Sequence, residues 1–112
     1  ELEKTNLLYK SLTEFAEKCS SVYIYGAGYY GKRCAKLLHA ALYEIEGFVV
    51  SDKERNKKRL RDVPIIPISE LELEKDSGII IAVSEKVKEE IMKNIEERFP
   101  LFNNIFYFGF LK

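Results

Sequence analysis

The chain has 112 residues, which is enough for one hydrophobic core and too short for a separate substrate-binding domain. With 46% hydrophobic and 32% charged residues, it has the composition of a globular protein, which argues against a largely disordered chain. Its 18 basic and 18 acidic side chains cancel, so the net charge favours neither nucleic acid nor an anionic membrane surface as a partner.

The first 20 residues carry apolar side chains at helical spacing and predict an amphipathic helix that ends near Cys19 and Ser20. Such a helix either covers the predicted sheet or forms a linker from a preceding domain. The chain begins at Glu1 and not at methionine, so we expect a longer parent protein whose missing domain is a partner. The predicted organisation is a helix or linker over residues 1–20 and one domain over residues 21–112.

The most informative pattern is a short buried strand at residues 22–25 that runs directly into a G-x-G-x-x-G turn and then a helix. In this arrangement Gly26 allows a tight turn, Gly28 lets backbone N–H groups approach a pyrophosphate, and Gly31 lets the helix pack close to the sheet. The helix directs its free N–H groups and positive dipole end at the anion. The candidate ligand-binding residues of this loop are Gly26, Ala27, Gly28, Tyr29, Tyr30 and Gly31. The alternative is that the glycines only form a tight connection in a domain that binds nothing.

Asp52 completes the pattern of a dinucleotide-binding unit. A crossover helix that starts at Lys32 leads to a second apolar strand within residues 45–50, and Asp52 follows 21 residues after Gly31. A carboxylate at this position accepts hydrogen bonds from both hydroxyl groups of a ribose. A role in forming the turn after the strand is the alternative for Asp52.

Residues 52–62 are almost all charged and predict an irregular loop where a full Rossmann unit has its second crossover helix. The second crossover is therefore expected to be reduced. Lys53 or Arg55 either reaches a phosphate on the ribose of NADP or on a nucleotide sugar, or belongs to a loop that is only solvated. These basic residues beside Asp52 leave the choice between NAD and NADP open.

Three more strands are predicted beyond this loop. Prolines bound residues 63–67 and favour an edge position, and Ser69 predicts a cap for a brief helical turn. The apolar run at 79–83 predicts a central parallel strand, after which Ser84 caps a helix or contacts ribose or phosphate. With a last strand at 105–108, the pattern predicts an α/β fold, Rossmann-like, with a parallel sheet of five strands in the order 3-2-1-4-5 and flanking helices.

The sequence predicts no catalytic or metal-binding residue. His39 lies within the crossover helix and is expected to be a surface or packing residue, and Cys19 and Cys34 lack the spacing of a metal site or a redox pair. The longest apolar run, residues 78–83, is far shorter than the roughly 20 residues that cross a bilayer, and no signal peptide precedes the first strand. We therefore expect a cytoplasmic chain without a membrane segment.

Most of the chain resembles the small Rossmann-like domains that bind NAD(P) or nucleotide sugars in bacterial sugar-modifying proteins. The resemblance is carried by residues 25–33, 45–52, 63–71 and 79–84. Similar domains occur in nucleotide-sugar acyltransferases and polysaccharide epimerases or dehydratases, and fused to glycosyltransferases. The resemblance extends over residues 22–108 and implies a nucleotide-type ligand, held by the glycine loop, Asp52 and Ser84.

The resemblance implies a binding module of a larger carbohydrate-modifying protein, such as a glycosyltransferase, whose catalytic residues lie elsewhere. The ligand would be NAD or NADP, or a nucleotide sugar or CoA in the same crevice. The alternatives are an NAD(P)-dependent sugar oxidoreductase or epimerase with Tyr29 or Tyr30 as the acid, and a ligand-free docking domain. Sugar dehydrogenases usually carry a Tyr-x-x-x-Lys pair, whereas here Arg33 follows Tyr29 at that spacing, which favours the binding module. The sequence also allows a homodimer.

Overall fold

The computed structural model describes residues 2–52, 59–60 and 62–109 of the chain. The elements follow in the order α1 (Leu2–Glu17), β1 (Ser21–Tyr25), α2 (Tyr29–Ala40), β2 (Gly47–Val50), β3 (Arg59–Leu60), β4 (Val63–Pro67), β5 (Ser77–Ile81), α3 (Glu85–Arg98) and β6 (Ile105–Tyr107). A short 3-10 helix, Ile68–Glu70, follows β4. Lys53 and Arg55 lie outside the described residues, so their predicted contacts with a phosphate stay predictions.

Five parallel strands lie in the spatial order β4-β2-β1-β5-β6. Counted along the chain without β3, this is the order 3-2-1-4-5, so the predicted α/β fold and strand order are confirmed. The central strand is β1, in which Tyr25 is in register with Val49 of β2 and with Ile81 of β5. Because the strand order reverses beside β1, the carboxyl ends of β1 and β5 form a topological switch point.

The charged segment between β2 and β4 contains one element that the sequence analysis missed. Strand β3 pairs antiparallel with β4, with Arg59 opposite Pro64 and Leu60 opposite Val63. Asp62, in the connecting turn, has a φ of 67°, a left-handed conformation that tight hairpin turns require and that aspartate tolerates. The prediction of a wholly irregular loop was therefore wrong at β3. The edge position predicted from the prolines of β4 was also wrong, because β4 pairs with β2 on one side and with β3 on the other.

Apolar side chains pack on both faces of the sheet. On one face α1 and α2 contribute to a cluster that includes Leu12, Leu38 and Phe48. On the other face α3 and the segment after β4 contribute to a second cluster that includes Leu71 and Ile95. Every residue of β5 is buried, as expected for a parallel strand that is covered on both faces.

Strand β5 begins at Ser77, two residues before the predicted start of the strand. Ser77 is fully buried, but its hydroxyl oxygen lies 2.9 Å from the hydroxyl oxygen of Ser21 and accepts a hydrogen bond of 2.9 Å from the backbone N–H of Glu74. Because its hydrogen bonds are satisfied, this polar residue can be included in a buried strand at little cost. Hydrophobicity alone could not have predicted this boundary.

The inner side of α2 packs closely on the sheet, where Gly31, Cys34 and Leu38 are buried. Burial raises the pKa of the Cys34 thiol to about 12. The outer side of the same helix carries exposed charged residues, including Lys32 and Arg33, as its amphipathic pattern predicts. None of the helices in the described part of the chain has both the length and the apolar character that a membrane span requires.

Candidate functional site

The candidate site lies at the topological switch point, where the chain leaves β1 and enters α2. Backbone hydrogen bonds fix this turn to both neighbouring strands. The N–H of Gly26 donates to the carbonyl oxygen of Val49 at 2.9 Å, and the N–H of Ala82 donates to the carbonyl oxygen of Tyr25 at 3.0 Å. The start of the glycine loop is therefore held at the carboxyl edge of β2, β1 and β5, where ligands bind in open α/β sheets.

Gly26 occupies a position that no other residue type fits. Its φ is 116°, a conformation that L-amino acids with a side chain rarely adopt. A Cβ atom at this residue would lie 2.6 Å from the carbonyl oxygen of Ala82 and 2.9 Å from Cγ1 of Val83. The tight turn predicted at Gly26 is present, and it is also a close approach between the loop and the chain that leaves β5.

Gly31 lets α2 pack against the loop that precedes it. A Cβ atom at Gly31 would overlap the carbonyl oxygen of Gly26 and would lie 2.8 Å from its carbonyl carbon. Because both of these atoms are backbone, the overlap could be relieved only by moving the helix or the turn. The first turn of α2 is therefore fixed on the sheet by a glycine-to-glycine contact.

Gly28 differs from the other two glycines of the loop. Apart from its chain neighbours, no heavy atom of the described residues lies within 4 Å of the position that a Cβ atom would take there. Gly28 is the N-cap of α2, with a φ of −91° and a ψ of −148°, and its carbonyl oxygen accepts the N–H of Lys32 at 2.9 Å. An α-helix leaves its first four N–H groups without partners inside the helix, and Gly28 has no side chain with which to cap them. The first turn of α2 contains no acidic residue.

The two tyrosines of the loop have different surroundings. Their rings meet edge to face, with centroids 5.5 Å apart and an interplanar angle of 77°. Tyr29 is 67% exposed, and its hydroxyl oxygen accepts a hydrogen bond of 2.9 Å from Nη1 of Arg33. Tyr30, like Ala27, is half-buried and packs against the apolar cluster below α1 and α2. The ring of Tyr29 is therefore the more exposed of the two.

Asp52 is exposed just beyond the end of β2, and its Oδ1 atom accepts a hydrogen bond of 3.2 Å from the backbone N–H of Ser69. This bond joins the end of β2 to the 3-10 helix after β4. The predicted capping role of Ser69 was wrong, because Pro67 occupies the N-cap of that helix and Ser69 lies inside it. This contact links two distant segments and is not the turn after β2 that was the alternative role for Asp52, so both predicted roles of Asp52 stay predictions.

Ser84 is the N-cap residue of α3, at the carboxyl edge of β5. Its backbone has the extended conformation typical of an N-cap, with φ −68° and ψ 160°, but its side chain makes no capping hydrogen bond. The predicted position of the cap is confirmed, but the Ser84 hydroxyl oxygen accepts no hydrogen bond from an N–H group of the first turn. A role in contacting ribose or phosphate stays a prediction.

Three residues near Ser84 were missed by the sequence analysis. The hydroxyl of Tyr107 donates to Oε1 of Glu85 at 3.1 Å, and Nζ of Lys88 lies 4.2 Å from the centroid of the Tyr107 ring. Burial, the hydrogen bond to the Glu85 carboxylate and the negative charge of that carboxylate raise the pKa of Tyr107. Their proximity could have been predicted from the strand order, because Tyr107 ends a strand and Glu85 begins a helix at the same edge of the sheet.

The family model for C2185-like proteins, N-terminal domain, matches residues 18–100. This match extends over most of the chain, from the end of α1 to the end of α3, and the chain therefore belongs to this family. No curated protein and no solved structure matches the chain.

Proposed function

We propose that this C2185-like N-terminal domain binds the diphosphate group of a nucleotide-type ligand at the start of α2. The phosphates would accept hydrogen bonds from the backbone N–H groups of Gly28, Tyr29 and Gly31, at the positive end of the helix dipole. NAD, NADP, nucleotide sugars and CoA all contain this diphosphate group. The shared chemistry is therefore a diphosphate joined to a ribose, and NAD or NADP is the ligand that the fold and the loop favour.

The open space at Gly28 is the observation that carries this proposal. Contacts within the protein require a glycine at position 26 and at position 31, since a Cβ atom at either would collide with backbone atoms. No such contact requires one at position 28. A side chain there would project from the cap of α2 into the space where an anion approaches the first-turn N–H groups. Binding of a phosphate explains why a glycine stands at this position.

The rest of the ligand would lie along the carboxyl edge of the sheet. Asp52, at the end of the neighbouring strand β2, would accept hydrogen bonds from ribose hydroxyl groups, and Lys53 would meet a ribose phosphate if the ligand is NADP. Tyr29 offers an exposed ring for packing against the ligand. Ser84, on the other side of the switch point, offers a hydroxyl group to a ribose or phosphate.

Backbone N–H groups suit binding better than proton transfer, since they donate hydrogen bonds without changing protonation state. We therefore propose that the domain is a binding module of a larger bacterial carbohydrate-modifying protein, such as a glycosyltransferase, and that the catalytic groups lie in another part of that protein. The support for this step is the resemblance of residues 22–108 to domains appended to such proteins. An NAD(P)-dependent oxidoreductase would instead convert a sugar with this domain alone.

Calorimetric titration of the chain with NAD, NADP, CoA and a UDP-sugar tests the binding proposal and distinguishes the ligand classes. We expect one class to bind, and we expect Gly28→Val to weaken its binding by about 100-fold or more, because the branched side chain would occupy the space of the phosphate. The same variant should lose less than about 1 kcal/mol of unfolding free energy, since only the preference for glycine over valine at an N-cap is lost. Ser11→Val, on an exposed site of α1, is the control and should leave binding unchanged.

Two outcomes would contradict the proposal. If none of the four ligands binds and Gly28→Val alters stability alone, the glycine loop is only a tight connection and the domain is a docking module. If the absorbance of a nicotinamide cofactor changes when sugar substrates are added to the isolated chain, the domain is itself an oxidoreductase.

A further inference from the structure

A group of polar side chains lies beside the glycine loop, at the carboxyl ends of β5 and β6. Glu85, the first residue of α3, accepts a hydrogen bond of 3.1 Å at Oε1 from the hydroxyl of Tyr107, at the end of β6. The same hydroxyl lies 3.4 Å from the carbonyl oxygen of Val83, and Nζ of Lys88 lies 4.2 Å from the centroid of the Tyr107 ring. Contacts with α3 and with the end of β5 therefore fix Tyr107, which in turn fixes one oxygen of Glu85.

Val83 joins this group to the glycine loop. A Cβ atom at Gly26 would lie 2.9 Å from Cγ1 of Val83, whose carbonyl oxygen is the one close to the Tyr107 hydroxyl. Burial and the Glu85 carboxylate raise the pKa of Tyr107, and the phenol of Tyr30, in the loop, contributes to the same rise. One residue thus separates the loop from the bonded pair of Tyr107 and Glu85, so a ligand held by the loop would have Glu85 at its side.

Two carboxylates flank the loop in the same manner. Asp52 follows β2 and Glu85 follows β5, and these are the two strands that pair with the central strand β1. Because neighbouring strands are about 4.8 Å apart, the carboxyl ends of β2 and β5 lie about 10 Å apart, with the loop between them. Each carboxylate is bonded through one oxygen, Oδ1 of Asp52 to the N–H of Ser69 and Oε1 of Glu85 to Tyr107. Both residues are exposed, and within the described ranges neither second oxygen has a hydrogen-bond partner.

A carboxylate in this position suits hydroxyl groups better than phosphates. When ionised it only accepts hydrogen bonds, so it pairs with hydroxyl donors, and its negative charge repels a phosphate. Ser84, the residue before Glu85, has a hydroxyl group that makes no capping bond to α3. A carboxylate and a hydroxyl side by side are complementary to two neighbouring hydroxyl groups on a ribose or a sugar ring.

We propose that Glu85 binds the hydroxyl groups of a second ring, on the opposite side of the diphosphate from the ribose at Asp52, and that Tyr107 positions its carboxylate. The inference rests on the proposed diphosphate site and narrows its ligand class to molecules with a hydroxylated ring on each side of the diphosphate. NAD, NADP and nucleotide sugars have this structure. CoA has an acyclic chain in place of the second ring, and this chain carries no pair of neighbouring hydroxyl groups.

Calorimetry with matched pairs of probes tests this assignment. Each pair consists of a ligand with the second ring and the methyl ester of the same nucleoside diphosphate, which has the same charge and lacks that ring. The pairs are built on ADP-ribose, on 2′-phospho-ADP-ribose and on UDP-glucose. In the pair that binds, we expect the ring-bearing probe to bind at least about tenfold more tightly than its ester, because hydrogen bonds to a charged carboxylate are among the stronger ones.

Three variants identify the side chains responsible for this preference. Glu85→Ala should bring the two affinities of the pair to within about twofold of each other, since the acceptor of the second ring is lost. Tyr107→Phe should reduce the preference by about threefold while the ester binds as before, because the carboxylate is no longer held in place. A purely structural role of Tyr107 would instead weaken both probes equally. Glu89→Ala is the matched control, since Glu89 is exposed one turn further along α3, and it should leave the preference unchanged.

The outcomes separate this inference from the proposed function on which it rests. If no probe of any pair binds and CoA does not bind either, the diphosphate site is wrong and the second-ring site falls with it. If the ester binds as tightly as the ring-bearing probe, or if Glu85→Ala weakens both equally, the diphosphate site stands and the second ring does not lie at Glu85. Binding of CoA alone would also overturn the inference and leave the diphosphate site in place.

Discussion

Helices α2 and α3 begin at the same edge of the sheet, on opposite faces, but the side chains at their N-termini differ. At α2 the cap is Gly28 and the first turn has no acidic residue. At α3 the first turn contains Glu85, whose carboxylate accepts a hydrogen bond from Tyr107. A carboxylate in the first turn favours a helix because its charge opposes the positive end of the dipole, and it repels an anion for the same reason. The first turn of α3 thus carries a carboxylate of the protein itself, whereas the first turn of α2 has neither a side-chain cap nor a carboxylate.

The largest expected effect concerns how α2 is held in place. Gly31→Ala places a Cβ atom against the carbonyl group of Gly26, so we expect a loss of at least about 3 kcal/mol in the free energy of unfolding. Gly28→Ala is the matched control and should cost less than about 1 kcal/mol, since only its capping preference changes. Urea denaturation of both variants measures the difference. Equal losses would show that the two glycines are under the same steric constraint.

The second prediction concerns a substitution that makes the N-terminus of α2 resemble that of α3. Tyr29→Glu gives α2 an acidic first turn like that of α3, and it should be more stable than Tyr29→Gln by about 0.5 kcal/mol through the helix dipole, since both variants lose the contacts of the ring with Arg33 and Tyr30. It should also weaken the binding of a diphosphate ligand by about tenfold relative to Tyr29→Gln, which removes the ring without adding a charge. Calorimetry and urea denaturation measure the two quantities. If both variants bind equally well, the phosphate does not lie at the start of α2.

A third prediction tests the internal partner of α3. Glu85→Gln removes the negative charge beside Tyr107, so the pKa of Tyr107 should fall towards its ordinary value while burial keeps it above that value. In the wild type the unfolded chain ionises this tyrosine at a lower pH than the folded chain does. Stability is therefore complete below about pH 10 and is lost as the pH rises through the pKa of the folded state.

The loss of stability above about pH 10 should consequently be smaller in Glu85→Gln than in the wild type. Ultraviolet titration of the phenol groups and urea denaturation at several pH values measure these two effects. Since the other tyrosines and the cysteines are common to both proteins, the difference between them isolates Tyr107. Identical titration curves would mean that Glu85 and Tyr107 do not interact in solution.

The smallest expected effect is at the cap of α3. The side chain of Ser84 makes no capping hydrogen bond, so Ser84→Ala should change the free energy of unfolding by less than about 0.5 kcal/mol, against about 1 kcal/mol for a typical capping serine. Urea denaturation again measures the change. A loss as large as that of a typical cap would show that the hydroxyl oxygen does accept a hydrogen bond from an N–H group of the first turn. In that case α3 would have a side-chain cap that α2 lacks.

The sequence predicted the strand order and the glycine turn because these depend on local patterns. Apolar runs of strand length, a helical stripe after Gly31 and two prolines around β4 are readable along the chain. The bond from Ser69 to Asp52 and the bond from Tyr107 to Glu85 join residues 17 and 22 positions apart. Such contacts depend on which strand ends lie side by side, so they could be identified only in the folded structure. Strand β3 was missed because it contains only two residues, one charged and one apolar, within a basic segment. Two residues are too few to show the alternation of apolar and polar side chains that identifies a strand.

Cys34 offers a built-in probe of α2. Its sulfur atom is fully enclosed under the helix, and its pKa of about 12 keeps it protonated near neutral pH, so an alkylating reagent meets neither an accessible nor a nucleophilic sulfur. Covalent labelling of this cysteine requires the helix to lift from the sheet. The rate of labelling would therefore measure how often the segment that carries the glycine loop opens locally. Slower labelling in the presence of a nucleotide would show, without any added fluorophore, that the nucleotide occupies the loop.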